Sequence, residues 1–501
     1  MINDAARHIF AAVKPKNMNT RIIAWYIGIS LILVSALMAV SGIIAFATEG
    51  DESRIPLLYS TVITFLTGIF PLIFVRNHRE PLRFKEGNCI VVGSWLAACL
   101  FGMIPYIMYG EEFTPMNALF ESVSGFTTTG ASILNDIEAL PRGLQFWRIS
   151  TAWAGGIGIV TLFSMIIFRS HNRSVLSGAE ISDMAMQTFA GQKSVFFANR
   201  MLITYLALTI ITLFALRLTG LAWFDSVTNA MSACSTCGFC PRNASIASYG
   251  NPTAEVVLTF AMIASGMNFG ILFLTFVRGS HRSLFRSEAI RFFVVLVLGA
   301  IIVITGDLMI HGGQKLFTAL RNASFQVASI STTTGFATQD TNRWPSLSVA
   351  LLIICSLICG CSGSTSGGIK IDRVLLAIKG VHKKVGLALN PRLVQVIRVD
   401  GEIRPYEQVS DAFGYIFCYL VILAIGAAIN IGCGLGLETG ITASIACIGN
   451  VGPGFGAVGS MSNYAAVPEL VKFTSMLEMI VGRLEIFPVL YLFRSMSKAG
   501  L

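Results

Sequence analysis

The sequence predicts an all-α integral membrane protein with four pseudo-symmetric helix–pore-loop–helix repeats around one central pore, preceded by two extra transmembrane helices. Three observations lead to this prediction. The composition is too apolar for a soluble protein, about ten apolar segments are long enough to span a bilayer, and four short glycine-containing segments recur at similar intervals.

The composition favours a lipid environment. Of the 501 residues, 54% are hydrophobic and only 13% are charged, and the mean hydropathy is +0.70. A soluble chain carries roughly a quarter charged residues, so this chain has too few charges to cover a water-exposed surface. The net charge of +9 comes from short basic loops between apolar segments, which is a pattern of membrane topology rather than a nucleic-acid-binding face.

The apolar segments predict about ten transmembrane spans. They lie at 22–48, 56–75, 88–109, 145–168, 197–219, 253–277, 290–311, 346–371, 411–434 and 468–493. The first follows Lys14, Lys16 and Arg21 and ends near Ala45, which resembles a secretory signal. Its apolar stretch is longer than the roughly 7–15 residues of a cleaved signal, so we expect a retained helix rather than the alternative, a cleaved leader.

Positive charge predicts the orientation of the spans. The loops at 76–85, 169–200, 278–291 and 370–404, together with both termini, hold 26 of the 36 Lys and Arg residues. Basic loops stay in the cytoplasm. We therefore expect a multi-pass protein with both termini in the cytoplasm, and glycine-containing segments that face outward.

Four short segments, here called the tips, predict the internal repeats. They read Thr127-Thr128-Thr129-Gly130-Ala131, Ser235-Thr236-Cys237-Gly238-Phe239, Thr332-Thr333-Thr334-Gly335-Phe336 and Gly449-Asn450-Val451-Gly452-Pro453. The residues that precede the tips recur as well. Six residues before the last glycine of each tip come Ser124, Ser232, Ser329 and Ala446, and nine before it come Glu121, Asn229, Gln326 and Ala443.

The predicted division is 1–86 for the N-terminal helix pair and 87–195, 196–289, 290–405 and 406–501 for the four pore repeats.

The tips predict a cation-binding backbone. Each follows a short helical stretch, here called a half-helix; Thr114-Pro115 marks the start of the first and Asp225 the start of the second. Glycine permits backbone angles that turn successive carbonyls the same way, and a ring of carbonyls can replace the hydration shell of an alkali cation. The tips contain no acidic side chain, so a large, weakly hydrated ion such as K⁺ suits them best. Ordinary outer loops are the alternative.

Two further motifs complete a family resemblance. The tips, the run from Gly360 to Lys370 and the run Gly482-Arg483-Leu484-Glu485 resemble the Trk/Ktr/HKT superfamily of potassium transport proteins, and within it the bacterial TrkH/TrkG branch, over essentially the whole chain. The resemblance implies potassium uptake across the bacterial inner membrane, with the tips as quarters of a selectivity filter. The implied filter residues are Thr128, Thr129, Gly130, Thr236, Cys237, Gly238, Thr333, Thr334, Gly335, Asn450, Val451 and Gly452. In this family a serine at the first filter glycine accompanies sodium preference, so Gly130 favours potassium.

The same resemblance implies a gate beneath the filter. Its residues are Gly360, Gly363, Ser364, Thr365, Gly367, Gly368, Lys370 and Arg483. The glycines and hydroxyl residues at 359–370 are too many for a continuous helix, so an intramembrane loop is expected there. Arg483 lies deep in the last apolar segment, where a charge is costly; either it forms an ion pair with Glu478 or Glu485, or it sets an electrostatic barrier in the pore. Arg148, Arg217 and Asp307 are expected near helix ends, with side chains that reach toward water.

Cys234, Cys237 and Cys240 depart from the residues that the family leads us to expect in the second tip. Their spacing resembles part of an iron–sulfur ligand run, but the fourth thiolate is missing. We interpret them as small packed thiols, with a redox-sensitive pair as the alternative.

A potassium pore is the favoured function, with K⁺ as substrate and no bound cofactor or transition metal. Coupling to H⁺ or Na⁺, a less selective K⁺/Na⁺ pathway and an alternating-access transporter remain open. The sequence contains no motif that indicates an enzyme. The resemblance also implies a homodimer and a cytosolic nucleotide-binding regulatory partner of the TrkA type, for which the basic segment 370–404 is a candidate docking site or a lipid contact.

Overall fold

A helical hairpin begins the described part of the chain. The computed structural model describes residues 19–75, 84–169, 195–277, 279, 281–390, 392 and 396–497. Helix α1 (Thr20–Ala47) packs along α2 (Arg54–Phe74). A Cβ on Gly28 would lie 2.6 Å from the Gly68 carbonyl oxygen, so these glycines let the two backbones approach closely, as small residues do in membranes.

The next segment contains the first half-helix. It comprises α3 (Phe84–Gly102), α4 (Ile104–Tyr109), the half-helix α5 (Pro115–Phe126) and α6 (Arg142–Arg169). The Thr114 hydroxyl accepts a hydrogen bond from the Asn117 amide at 3.3 Å, which confirms the predicted cap at the start of α5.

The second segment contains a sharp break. It comprises α7 (Val195–Leu218), the half-helix α8 (Trp223–Ser235), α9 (Pro252–Ser265), α10 (Phe269–Val277) and α11 (His281–Arg286). Asp225 lies in the first turn of α8 and not at its cap, because the helix begins two residues earlier. The chain bends by 110° between helices α9 and α10, so the apolar segment predicted at 253–277 is not one straight helix.

The third segment differs most from its sequence prediction. It comprises α12 (Glu288–Ile310), the half-helix α13 (Leu316–Ser331), α14 (Ser346–Ile358) and, after the expected non-helical stretch 359–370, α15 (Ile371–Leu389) with the hairpin β1 (Ile397–Val399) and β2 (Glu402–Arg404). The segment 370–404, interpreted from its charge as a loop, is therefore largely ordered secondary structure. Asp400 and Gly401 both have positive φ, 58° and 86°, which is the Asp-Gly signature of a tight hairpin turn.

The fourth segment ends the described chain. It comprises α16 (Tyr406–Gly432), the half-helix α17 (Leu437–Ile448), α18 (Glu469–Leu484) and α19 (Ile486–Ser497). Glu485, with φ 66°, separates α18 from α19, so the predicted span 468–493 is also broken.

The half-helices and the helices that follow them pack in a closed order. Helix α5 contacts α6 and α18, α8 contacts α6 and α9, α13 contacts α9 and α14, and α17 contacts α14 and α18. Each half-helix thus lies between the helix that follows it in its own segment and the corresponding helix of a neighbouring segment. This order brings all four half-helices into one continuous assembly.

The described residues contain six helices, or continuous helix pairs, that are long and apolar enough to cross a membrane, and seven if the bent pair α9–α10 is one span. Together with the helical content of the chain, they establish an all-α membrane protein. The predicted basic loops at 76–85 and 169–200 lie mostly outside the described residues, as do most of the N-terminal tail and the last four residues.

Arg148 corrects one prediction from the sequence. Its side chain is only 2% exposed and forms an ion pair with Glu121 of α5, instead of reaching toward water. The guanidinium also lies 3.6 Å from the ring centroid of Phe239 and 3.4 Å from the Cys240 carbonyl oxygen. Because Cys240 follows the second tip, Arg148 connects the first half-helix to the second tip.

Replacement of Arg148 by Met should destabilise the fold strongly. The substitution leaves the Glu121 carboxylate buried without its cation, which costs about 3–5 kcal/mol. Arg343→Met is the matched control, because the exposed pair of Arg343 with Asp340 is worth at most about 1 kcal/mol. Thermal unfolding of the purified proteins in detergent measures the difference; equal stability of the two variants would contradict the role of the buried pair.

Candidate functional site

The four tips have the same backbone conformation. The residue two places before each tip glycine has a left-handed φ: Thr128 53°, Thr236 55°, Thr333 59° and Asn450 53°. The glycines themselves have φ of 80° at Gly130, 81° at Gly238, 81° at Gly335 and 92° at Gly452. Non-glycine residues adopt positive φ rarely. Four repeats of one uncommon conformation, at the positions that the sequence spacing marks, indicate a shared structural task.

Hydrogen bonds hold each tip on the end of its half-helix in the same way. The amide one place before each glycine donates to the carbonyl six places before that glycine. These bonds are Thr129 to Ser124 at 2.9 Å, Cys237 to Ser232 at 3.1 Å, Thr334 to Ser329 at 2.8 Å and Val451 to Ala446 at 2.8 Å. The flanking position that recurs in the sequence is therefore the anchor of the tip.

The tips touch one another in cyclic order. A Cβ added to Gly130 would overlap the carbonyl oxygen of Cys237, one on Gly238 that of Thr334, one on Gly335 that of Val451, and one on Gly452 that of Thr129. Each glycine thus lies directly against the carbonyl of the next tip, and the last returns to the first. Eight of the twelve predicted filter residues make these contacts, the four glycines and the residue before each. The other four, Thr128, Thr236, Thr333 and Asn450, come next to them in the tips.

The outer loops form a second closed set of contacts. Four hydrogen bonds join successive segments: Asn243 to Asp136 at 2.8 Å, the Ala247 amide to the Ala337 carbonyl at 3.2 Å, Asn342 to the Gly456 carbonyl at 2.9 Å, and Asn463 to the Leu134 carbonyl at 2.9 Å. The bond from Asn243 also lowers the pKa of Asp136. These contacts hold the tips in position. They could not be predicted, because each joins residues that lie far apart in the chain.

The segment 359–370 lies against the tips. The Gly367 amide donates to the Thr333 hydroxyl at 3.1 Å, and the Thr365 hydroxyl donates to the Cys234 carbonyl at 3.1 Å. Gly363 and Gly368 both have φ of 75°. The predicted gate residues of this segment therefore contact the third tip and the end of half-helix α8, directly before the second tip.

The break between α9 and α10 holds the same segment from another direction. The Asn268 amide group donates to the Ser362 carbonyl at 2.8 Å, and the Phe269 amide donates to the Gly363 carbonyl at 3.0 Å. Sequence reasoning missed Asn268. The only signal was its place two residues after Gly266, where the apolar run is interrupted.

Arg483 contacts backbone and not a carboxylate. Its guanidinium donates to the Thr365 carbonyl at 2.5 Å and to the Gly155 carbonyl at 3.3 Å, and the side chain is 3% exposed. The two predicted partners bind elsewhere, Glu485 to Arg373 and Glu478 to Ser444. The ion-pair interpretation of Arg483 is therefore wrong, and its charge is compensated by peptide dipoles.

Lys370 ends the segment and directly precedes α15. Its backbone has φ of 72° and its side chain is 4% exposed. Further along α15, Lys379 forms an ion pair with Glu288 and donates to the Arg398 carbonyl at 2.5 Å. The Glu288 amide donates to Asp400 at 2.6 Å. Helix α15 is thus fastened to α12 and to the hairpin, a connection that charge counting along the sequence did not reveal.

The tip cysteines are buried and unpaired thiols. Cys234 lies 3.7 Å from the Thr212 hydroxyl and Cys240 lies 4.0 Å from the Tyr249 hydroxyl. Within the described ranges no three His, Cys, Asp or Glu residues are grouped as metal ligands. Cys237 contributes its carbonyl oxygen to the contact with Gly130.

Comparison with known proteins agrees with this geometry. The family model TrkH, described as a cation transport protein, matches residues 58–500. The Trk system potassium uptake protein TrkH of Salmonella typhimurium is 29% identical over 490 residues, with 95% of this chain and 99% of the relative covered. TrkG of Escherichia coli is 28% identical over 481 residues, with 95% and 99% covered.

A solved structure shares the fold. The crystal structure of the potassium transporter TrkH from Vibrio parahaemolyticus superposes with a TM-score of 0.86 at 27% identity, with 95% of this chain and 98% of that one covered. These relatives are transport proteins and not enzymes. The chain accordingly belongs to the TrkH family of cation transport proteins.

Proposed function

We propose that the protein takes up potassium across the bacterial inner membrane through a filter formed by its four tips. The observation that carries this proposal is the closed cycle in which each tip glycine lies against the carbonyl of the next tip. A cycle of four like-shaped backbone turns surrounds an axis, and carbonyl oxygens on such an axis coordinate an alkali ion. The named activity of the similar proteins, potassium uptake, agrees with that chemistry.

The half-helices favour a cation at the same place. Each ends directly at its tip, as α5 does at Thr127 and α13 at Thr332. The carboxyl end of a helix carries a partial negative charge. Four such ends that converge on one point stabilise a positive charge there without an acidic side chain. The first tip has glycine at position 130, which supports potassium over sodium.

The segment 359–370 and Arg483 act as the gate in this proposal. Irregular backbone at membrane depth is tolerated where it is buried or lines a watery path, and this segment lies against the third tip and the end of half-helix α8. The bond from Arg483 to Thr365 keeps a positive charge next to the segment. A cation that leaves the filter meets that charge, so the described arrangement corresponds to a restricted pathway.

The proposal includes the predicted organisation of the chain. Four pore repeats, 87–195, 196–289, 290–405 and 406–501, follow a helix pair at 1–86, with about ten spans and both termini in the cytoplasm. The recurring tip conformation and the basic loops support this division. Coupling of potassium uptake to H⁺ or Na⁺, and partial sodium permeation, are the alternatives within the same pathway.

Regulation by a cytosolic nucleotide-binding partner and assembly as a homodimer also belong to this proposal. Helix α15 supports the former, because it directly follows the gate segment and carries Lys379, Lys383 and Lys384. A partner that moved α15 would pull on Lys370 and therefore on the gate.

Rubidium-86 uptake into liposomes that contain the purified protein tests the function. We expect uptake that potassium suppresses and sodium suppresses only weakly. An imposed proton gradient separates passive conduction from coupled transport. Uptake no greater than in empty liposomes, or equal suppression by both ions, would contradict a potassium-selective pathway.

Cys237→Ser should leave this uptake within about twofold of the original protein. The proposed filter uses the carbonyl oxygen of this residue, and a serine of similar size keeps the backbone in place. The same flux assay, with sodium competition, measures the effect. A large loss of uptake or of selectivity would show that the thiol itself takes part.

A further inference from the structure

Glu478 belongs to a buried chain of hydrogen bonds that is separate from the filter and the gate. Glu478 lies on α18 and its side chain is 5% exposed. Its Oε1 is hydrogen bonded to the Ser444 hydroxyl of half-helix α17. The Ser444 oxygen also lies 3.0 Å from the Leu423 carbonyl oxygen of α16.

Ser444 has only one hydrogen to donate. Both the Leu423 carbonyl oxygen and Glu478 Oε1 lie at hydrogen-bond distance from the Ser444 oxygen, so the two contacts need two hydrogens. The Leu423 carbonyl can only accept, so the Ser444 hydrogen is directed at Leu423. The hydrogen between Ser444 and Glu478 must then come from the carboxyl group. A protonated Glu478 supplies it, and a chain of two hydrogen bonds connects α18 through α17 to α16.

The surroundings of Glu478 favour the same protonation state. Its Oε2 has no hydrogen-bond partner among the described residues, which an ionised oxygen in a membrane helix would need. Gly426 leaves room for the carboxyl group, since a Cβ there would overlap Oε1. Within the described part of the chain, no Lys, Arg or His forms an ion pair with Glu478.

The ionisable groups around Glu478 are neutral or engaged elsewhere. Tyr419 of α16, Cys447 of α17 and Tyr464 before α18 are the titratable groups that interact with it electrostatically. On α18 itself and on the packed helix α5, Lys472 has Asn117 as its partner, Arg483 has Thr365, and Glu121 has Arg148. The other charged residues of α16, α17 and α18 lie in the first two turns of their helices: Glu407, Asp411, Glu438 and Glu469.

We propose that Glu478 is a proton-binding site that couples pH to conduction. This inference rests on the proposed function, because α18 also carries Arg483, five residues further on, against the gate segment. The described arrangement holds the proton, whereas an arrangement with a hydrated carboxylate releases it. Higher pH therefore favours departure from the described, restricted arrangement, and uptake should increase with pH.

Two measurements on Glu478→Gln test this proposal, and the first is infrared spectroscopy. The C=O band of a buried, protonated carboxylic acid should be present in the original protein at neutral pH and lost in Glu478→Gln. Glu438→Gln, at the exposed start of half-helix α17, should keep the band. A band that is absent from the original protein, or unchanged in Glu478→Gln, overturns the proton site.

Rubidium-86 uptake from mildly acidic to mildly alkaline pH gives the second readout. Uptake by the original protein and by the control Glu438→Gln should increase by at least about threefold. Uptake by Glu478→Gln, whose amide still donates to Ser444, should stay at the acidic value. The same pH dependence in all three proteins overturns the coupling. If none of them takes up rubidium, the proposed function fails, and the infrared band still decides the proton site.

Discussion

Gly238→Ala should reduce potassium uptake by at least about tenfold, because alanine fits neither the backbone angle nor the space at this position. Gly238 has φ of 81°. An added Cβ would overlap the Thr334 carbonyl oxygen and lie 2.9 Å from the carbonyl carbon of Gly335. Both neighbours are backbone atoms of the third tip, so the strain cannot be relieved by rotation of a side chain. The third tip must move, and with it the carbonyl oxygens that replace the hydration shell of the ion.

Gly250→Ala separates steric overlap from backbone strain. Gly250 lies in the same segment and also has positive φ, 54°, but no atom lies within 4 Å of its added Cβ. We expect this control to keep uptake within about twofold, since only the modest cost of the left-handed conformation applies. Rubidium-86 uptake per reconstituted protein measures both variants. Equal uptake by Gly238→Ala and Gly250→Ala would show that contact between the tips is not needed for conduction.

Local chemistry explains what could be predicted from the sequence. The tip glycines, the Thr114 cap and the break after Ile358 all follow from properties of single residues and their neighbours, such as a positive φ or a cluster of glycines that a helix does not tolerate. The apolar segments indicated a membrane protein for the same reason. Spacing then related the four tips to one another, because a repeated pattern is visible without knowledge of any contact.

Contacts between distant residues explain what could not be predicted. Arg148 and Glu121 are 27 positions apart, and the sequence alone gives no reason to join them rather than to let Arg148 reach water. The ion-pair alternative for Arg483 relies on acidic residues near it in sequence, whereas the structure uses the Thr365 carbonyl, 118 positions away. The lysines of α15 led to the prediction of a basic loop, although this segment forms an ordered amphipathic helix.

Arg483→Ala should increase cation flux, in the opposite direction to Gly238→Ala. Coulomb's law gives a repulsion of about 2 kcal/mol for two unit charges about 8 Å apart at an effective dielectric constant of about 20, and we take this as the scale of the expected barrier. Removal of that charge corresponds to an increase in flux of about thirtyfold. The substitution also removes the hydrogen bond to Thr365, which frees one attachment of the gate segment.

Arg483→Lys distinguishes the charge from the hydrogen-bond geometry. Lysine keeps the positive charge but lacks the planar group that reaches both Thr365 and Gly155. If the charge sets the barrier, Arg483→Lys conducts like the original protein and only Arg483→Ala conducts faster, at equal protein content and with potassium selectivity retained. If both variants conduct faster, the attachment of the gate segment by the guanidinium restricts flux more than the charge does. Unchanged flux in well-folded Arg483→Ala would contradict a barrier at this position, because that variant lacks both the charge and the hydrogen bond to Thr365.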